Sequence, residues 1–100
     1  MTYYSVLDVT PTTDEWIGAY VPVATKIVAK HGGKYLARTG SHEQIEGVEN
    51  GAGLRVILEW PSKQAALDFM NDPEYISHFK ARTAGSVSNH FLIPATDDLA

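Results

Sequence analysis

The sequence predicts an α+β domain whose elements run strand, helix, strand, strand, helix, strand. Three observations carry this reading. Four short segments are rich in branched and aromatic residues. Two longer segments place apolar residues at helical spacing. Proline or glycine stands at most of the boundaries between them.

Tyr3 to Val9 reads as the first strand, ended by Pro11. Thr12-Thr13-Asp14-Glu15 has the form of a capping box, in which the Thr12 hydroxyl accepts from the backbone N–H of Glu15 and the Glu15 carboxylate accepts from that of Thr12. A helix should follow, with Trp16, Ile17, Tyr20, Val23, Ala24, Ile27 and Val28 on one apolar stripe. Pro22 falls inside it. Its ring crowds the carbonyl of Gly18, so a kink, or a stop at Val21 with a restart at Pro22, is expected. Gly32 suits a left-handed helix end, with His31 in the last turn.

Lys34 to Thr39 reads as the second strand, resuming near His42 to Ile45 after Gly40 and then entering a turn-rich stretch up to Gly53. Leu54 to Trp60 is the third, stopped by Pro61. Ser62 caps a helix that buries Ala65, Ala66, Leu67, Phe69 and Met70. Asp72 and Pro73 restart it as cap and first residue, and Tyr75, Ile76 and Phe79 continue the stripe to Gly85. Val87 to Ile93 is the fourth strand, ended by Pro94. Residues 1–95 are thus expected to form one domain and residues 96–100 a loose tail. With right-handed crossovers this order gives a ferredoxin-like antiparallel sheet, both helices on one face and the other bare.

Alternation assigns the faces. Leu54, Val56, Leu58 and Trp60 should face the helices, with Arg55, Ile57 and Glu59 on the open side. Tyr4, Val6 and Asp8 are assigned to the open side as well. In the fourth strand Val87, Asn89, Phe91 and Ile93 are assigned to the core, leaving Ser86, Ser88, His90 and Leu92 outside. In the second strand Leu36 and Arg38 share one parity, Tyr35 and Ala37 the other. An open face carrying Tyr4, Val6, Ile57 and Leu92 beside Asp8, Arg55, Glu59 and His90 predicts a homodimer whose sheets meet and enclose a polar-lined pocket.

Composition excludes several partners. The 100 residues are 44% hydrophobic and 20% charged, with a net charge of −4. Eight scattered cations argue against nucleic acid or an anionic membrane. The element order is also that of RNA-recognition modules, but Leu54 to Trp60 offers no aromatic pair on the open face and carries an acid there. No apolar run is long enough to span a bilayer. Met1-Thr2-Tyr3-Tyr4 lacks the basic start and apolar stretch of a signal peptide. The absence of cysteine excludes disulfides and a thiolate nucleophile, and makes the cytoplasm the expected location.

His31-Gly32-Gly33-Lys34-Tyr35-Leu36-Ala37-Arg38, then Ile45-Glu46-Gly47, then Leu58-Glu59-Trp60-Pro61-Ser62, then Asp72-Pro73-Glu74-Tyr75 occur in order. In these runs the chain resembles the domain-of-unknown-function 1330 family, of the dimeric α/β barrel superfamily, from Tyr3 to Ile93. The family commonly has a second glycine after the strand-two arginine, where this chain has Thr39 before Gly40. The resemblance implies a homodimer with two four-stranded sheets face to face. It implies no established activity, because wider relatives range from cofactor-free monooxygenases and muconolactone isomerase-like enzymes to haem peroxidases and regulatory domains.

The residues themselves suggest acid–base chemistry on a small organic molecule, or a non-catalytic binding module with the same pocket. His90 is a candidate base if Asp8 or Glu59 orients its ring, against a hydrogen-bonded interface histidine. Glu59 is a candidate proton shuttle, against an ion pair with Arg55 or Arg38. His31 is a candidate base at a pocket mouth, against helix-end electrostatics. Arg38 is a candidate carboxylate anchor, against a salt bridge to Glu46 or Glu59. Asp8, Tyr4 and Arg55 would line the substrate side. Ser62 fits a cap, and no nucleophile elbow surrounds it. Gly47, Gly51 and Gly53 lack the Gly-Lys-Ser/Thr signature of a phosphate loop. No histidine pair has the i,i+4 spacing of a helical metal site, so neither metal nor cofactor is expected.

Overall fold

The computed structural model describes residues Met1–Ala100. Its elements are β1 (Tyr3–Pro11), α1 (Ile17–Lys30), β2 (Lys34–Thr39), β3 (Leu54–Trp60), α2 (Lys63–Met70), α3 (Pro73–Ala84) and β4 (Ser86–Pro94). The strands form one antiparallel sheet in the order β2-β3-β1-β4, the ferredoxin-like arrangement, with the second helical stretch divided in two. Ser62 Oγ accepts from Ala65 N at 3.1 Å, and Asp72 Oδ1 accepts from Glu74 N at 2.9 Å, so both expected caps are made. Gly32 has φ of 75°, the left-handed helix end its position required.

The core lies between the helices and one face of the sheet. Ala24, Ile27 and Val28 of α1 meet Val56, Leu58 and Trp60 of β3, together with Phe69 and Tyr75. Trp60 is buried, and its indole donates to Ser5 Oγ at 2.8 Å, which satisfies both groups out of water. Gly33 lies against this indole. A Cβ there would come within 2.6 Å of Trp60, which accounts for the second glycine.

Several expectations are corrected. The helix runs through Pro22 and neither stops at Val21 nor restarts. The Thr12–Glu15 capping box does not form, and Trp16 at the helix start makes no side-chain cap. Instead the Gly85 carbonyl accepts from Thr12 N, Thr13 N and Trp16 Nε1 at 2.9, 3.1 and 3.0 Å, so this entry segment is tied to the end of α3. The second strand does not resume at His42 to Ile45. There the Gln44 amide holds the loop, donating to Val48 O at 2.8 Å and accepting from Asn50 N at 3.1 Å. Leu67 is exposed on α2 rather than buried.

Two corrections concern which way side chains point. In β2, Tyr35 pairs with Leu58 and Ala37 with Ile57, so Leu36 is an extra, bulged residue. The bulge puts Tyr35 and Arg38 on the same, helix-covered side, since Arg38 pairs with Val56. In β4 the register Leu7↔His90, Val6↔Phe91 and Ser5↔Leu92 reverses the assignment made from alternation. Ser86, Ser88, His90 and Leu92 face the helices. Val87, Phe91 and Ile93 face outward, 61%, 66% and 44% exposed. The more apolar set was expected inside, but on this strand it lies on the bare face.

Candidate functional site

Between the sheet and the helices the packing leaves a small cavity of about 40 Å³. Tyr20 of α1, Tyr35 and Arg38 of β2, Tyr75 and Arg82 of α3 and His90 of β4 bring polar atoms to its otherwise apolar wall.

Arg82 lies seven residues after Tyr75, on the same face of α3. It is 3% exposed. Its Nε and Nη1 are buried without a hydrogen-bond partner, and no ion pair of the chain includes it. Its guanidinium carbon lies 5.7 Å from the Tyr20 ring centroid and 5.5 Å from that of Phe79. Aromatic faces attract a cation but supply no acceptor, so the donors of Arg82 are left for something else.

His90 reaches the cavity because it pairs with Leu7 on the core side of the sheet. Its Nε2 is also buried and unpartnered. Burial first, and then repulsion from Arg82, push its pKa down, so the ring is neutral at pH 7. On its other side His90 borders a shallow groove with Ala66, Leu67, Met70 and Leu92.

Three phenols complete the wall. The Tyr20 and Tyr75 hydroxyls are 2.7 Å apart. Burial first, and then the neighbouring Tyr75, drive the Tyr20 pKa upward, which keeps that phenol protonated. The Tyr35 pKa is likewise raised by burial. Arg38 lies over the Tyr35 ring, 3.8 Å from its centroid, and donates to Thr25 Oγ1 at 2.8 Å. It makes no salt bridge to Glu46 or Glu59.

Of the residues singled out in the sequence, the structure brings Arg38 and His90 together. The others lie elsewhere. His90 does not share the open face with Asp8 or Glu59, which point the opposite way across the sheet. Asp8 accepts from Asn89 Nδ2 at 2.9 Å, and Arg55 donates to Asn50 O at 3.1 Å. Glu59 stands between Tyr4 and Lys34 in register, with no ion pair to Arg55 or Arg38. His31 is at the end of α1, where its Nε2 and Lys30 Nζ meet Asp72 Oδ2 at 2.7 and 2.9 Å. Those bonds from His31 and Lys30, with the Glu74 N–H, hold the Asp72 carboxyl well below the usual carboxylate range. This cluster clamps α1 to the start of α3, and its polar groups are mutually satisfied.

Sequence reasoning missed Arg82, Tyr20, Tyr75 and Tyr35 as site residues. One signal was present for Arg82: Tyr75, Phe79 and Arg82 recur at i, i+4 and i+7, so an arginine continues an apolar stripe.

A model of the family described as "Domain of unknown function (DUF1330)" matches residues 2–96. A protein of unknown function from Rhodopseudomonas palustris is similar in structure at TM-score 0.80 and 20% identity, over 96% of this chain and 84% of that one. A variant of SnoaB, a cofactor-independent oxygenase from Streptomyces nogalater, is similar at TM-score 0.67 and 21% identity, over 98% and 96%. An antibiotic biosynthesis monooxygenase is similar at TM-score 0.54 and 18% identity, over 97% and 100%. At these identities the likeness establishes the fold. A search of curated proteins finds no match. No helix is long and apolar enough to cross a membrane.

Proposed function

The chain belongs to the DUF1330 family, and from that premise we propose that it binds a small organic acid inside each protomer, between sheet and helices, and removes a proton from it. The observation that carries this reading is Arg82, a buried guanidinium without an acidic partner and with two unpaired nitrogens. Burying an unpaired cation is costly. An anionic oxygen brought to it would gain charge-assisted hydrogen bonds and relieve that cost.

His90 supplies the base. Neutral at pH 7, it accepts the proton of the ligand's acidic group at Nε2, and the ligand becomes an anion held by Arg82. The repulsion that disfavours an imidazolium beside Arg82 falls once the anion lies between them. The same cation that makes His90 a weak base in the free protein therefore favours the transfer when ligand is bound. Proton transfer is chemistry these side chains supply themselves. The cofactor-independent oxygenase among the structural neighbours is consistent with a site that acts by making its ligand an anion.

The bare face of the sheet is the proposed homodimer surface, with a second copy as the occupant. Tyr4, Val6, Ile57, Val87, Phe91 and Ile93 line it; alternation assigns the first three to this face and the last three to the core. The chain leaves that face uncovered, with Val6, Ile57, Val87, Phe91 and Ile93 all exposed. Charges of both signs, Lys34, Arg55, Asp8 and Glu59, border it, which suits a self-complementary contact. On this reading the dimer surface and the ligand site are on opposite sides of the sheet.

The test is binding of small phenols, which are protonated in solution at pH 7, to Arg82→Gln and His90→Gln, followed by the ligand's own absorption spectrum. Loss of binding in the first variant, and binding without deprotonation in the second, are expected. Ligands that bind both variants as they bind the parent protein would overturn the site. Binding that depends on Arg82 with no change in ligand protonation would make the protein a binding module.

A further inference from the structure

The inner cavity of about 40 Å³ is far smaller than the small-molecule sites of proteins, about 300–1,000 Å³, and suits only the head group of a ligand. The rest of a ligand must lie elsewhere. A second, open cavity of about 380 Å³ adjoins it, and Val9, Arg38 and Arg82 line both. Its volume is within the range of small-molecule sites, about 300–1,000 Å³.

The walls of this outer chamber are apolar except at its inner end. Ile17 and Val21 of α1, Leu54 of β3 and the Trp16 ring make the sides. Trp16 has only its ring to offer, because its N–H is already given to Thr13 O at 2.9 Å and Gly85 O at 3.0 Å. The only charged groups are Arg38 and Arg82, and both are cations without a carboxylate partner. Arg38 is held flat over the Tyr35 ring at the boundary between the two chambers. A planar cation and an indole ring favour a flat, polarisable body over a flexible chain.

We propose that the two chambers form one amphipathic site for an aryl carboxylate, its ring system beside Trp16 and Val21 in the outer chamber and its carboxylate turned inward to Arg82. The inference rests on the anion site at Arg82 proposed above and not on proton transfer to His90, since a carboxylate is already ionised at pH 7; it adds the ligand's class and direction of entry.

Chemical-shift titration of the Arg82 Nε–H tests both layers with four probes: acetate, decanoate, 2-naphthoate and 2-naphthamide. 2-Naphthoate is expected to bind about thirtyfold more tightly than acetate, from apolar area buried in the outer chamber. It should also bind more tightly than decanoate. The uncharged 2-naphthamide should lose about tenfold relative to 2-naphthoate. Val21→Trp fills the outer chamber from a position 44% exposed, where folding tolerates change. It should weaken 2-naphthoate about tenfold and leave acetate within about twofold. 2-Naphthoate no tighter than acetate, decanoate tighter than 2-naphthoate, or 2-naphthoate unaffected by Val21→Trp would each overturn the outer chamber while the Arg82 site stands. Acetate binding unchanged in Arg82→Gln, read on the His90 ring protons, would overturn the Arg82 site itself.

Discussion

The hydroxyl of Tyr20 on α1 and that of Tyr75 on α3 meet at 2.7 Å beside a buried arginine, so the two helices are joined by a polar bond at the cavity wall. Both rings also pack, with centroids 5.9 Å apart. Tyr20→Phe keeps the packing and removes one hydroxyl. Chemical denaturation should show a loss of about 1 kcal/mol, the usual net worth of such a bond. A loss below about 0.3 kcal/mol would mean that the pair does not brace the helices.

His90 sets a pH dependence whose sign follows from its lowered pKa. In the unfolded chain a histidine titrates near 6.5, and in the folded protein it resists protonation to a lower pH. Between those two values the unfolded state binds more protons, so stability falls as pH drops below about 6.5. His90→Gln should flatten the stability profile in that window. Urea titrations at a series of pH values for both proteins check this, and superimposable slopes would refute it.

Gly85 is fixed by what surrounds its α-carbon. A Cβ there would lie 2.4 Å from Trp16 Cδ1 and 2.7 Å from Thr13 Oγ1. Gly85→Ala must displace the indole and strain the three hydrogen bonds that converge on the Gly85 carbonyl. A destabilisation of about 1–3 kcal/mol is expected, as for overpacked sites. Thermal or urea unfolding measures it. Because Trp16 walls the outer chamber, a red shift in its fluorescence should accompany the loss.

Phe91 is 66% exposed on the bare face, beside Val6 on the edge strand β4. Phe91→Glu leaves the core untouched and places a charge where a second copy is proposed to dock. Sedimentation should give one species of twice the chain mass for the parent protein and a single chain for the variant, with unchanged circular dichroism. A parent protein that sediments as a single chain would remove the proposed dimer and leave the ligand site, which lies wholly within one protomer.

The order of elements and both helix caps on the C-terminal half were legible because they rest on local rules: Ser62 and Asp72 stand one residue before helices and do what such residues do. The faces of β3 were legible from alternation for the same reason, whereas on β1 both parities, Tyr3, Ser5, Leu7, Val9 and Tyr4, Val6, Asp8, are partly apolar and alternation alone did not decide. Where alternation failed, a non-local fact decided. On β4 the polar parity, Ser86, Ser88 and His90, faces inward: Ser86 Oγ donates to the Arg82 carbonyl at the end of α3 and meets Ser88 Oγ at 2.6 Å, while His90 Nε2 stays without a partner at the cavity. The apolar parity lies on a face that the single chain leaves bare. On β2 a one-residue bulge, which no sequence signal marks, turned Arg38 inward. The site combines residues from α1, β2, α3 and β4, and its centre, Arg82, looks in sequence like one more surface cation at the end of a helix.

The extra residue at Leu36 gives the second hairpin arm a rotary character. Pairing Leu36 into the ladder instead of bulging it would set Arg38 opposite Arg55 and swing it to the far surface, taking one of the two positive charges from the ligand's doorway. The charge at that doorway is therefore aimed by a backbone irregularity, and not by the alternation of the strand that carries it.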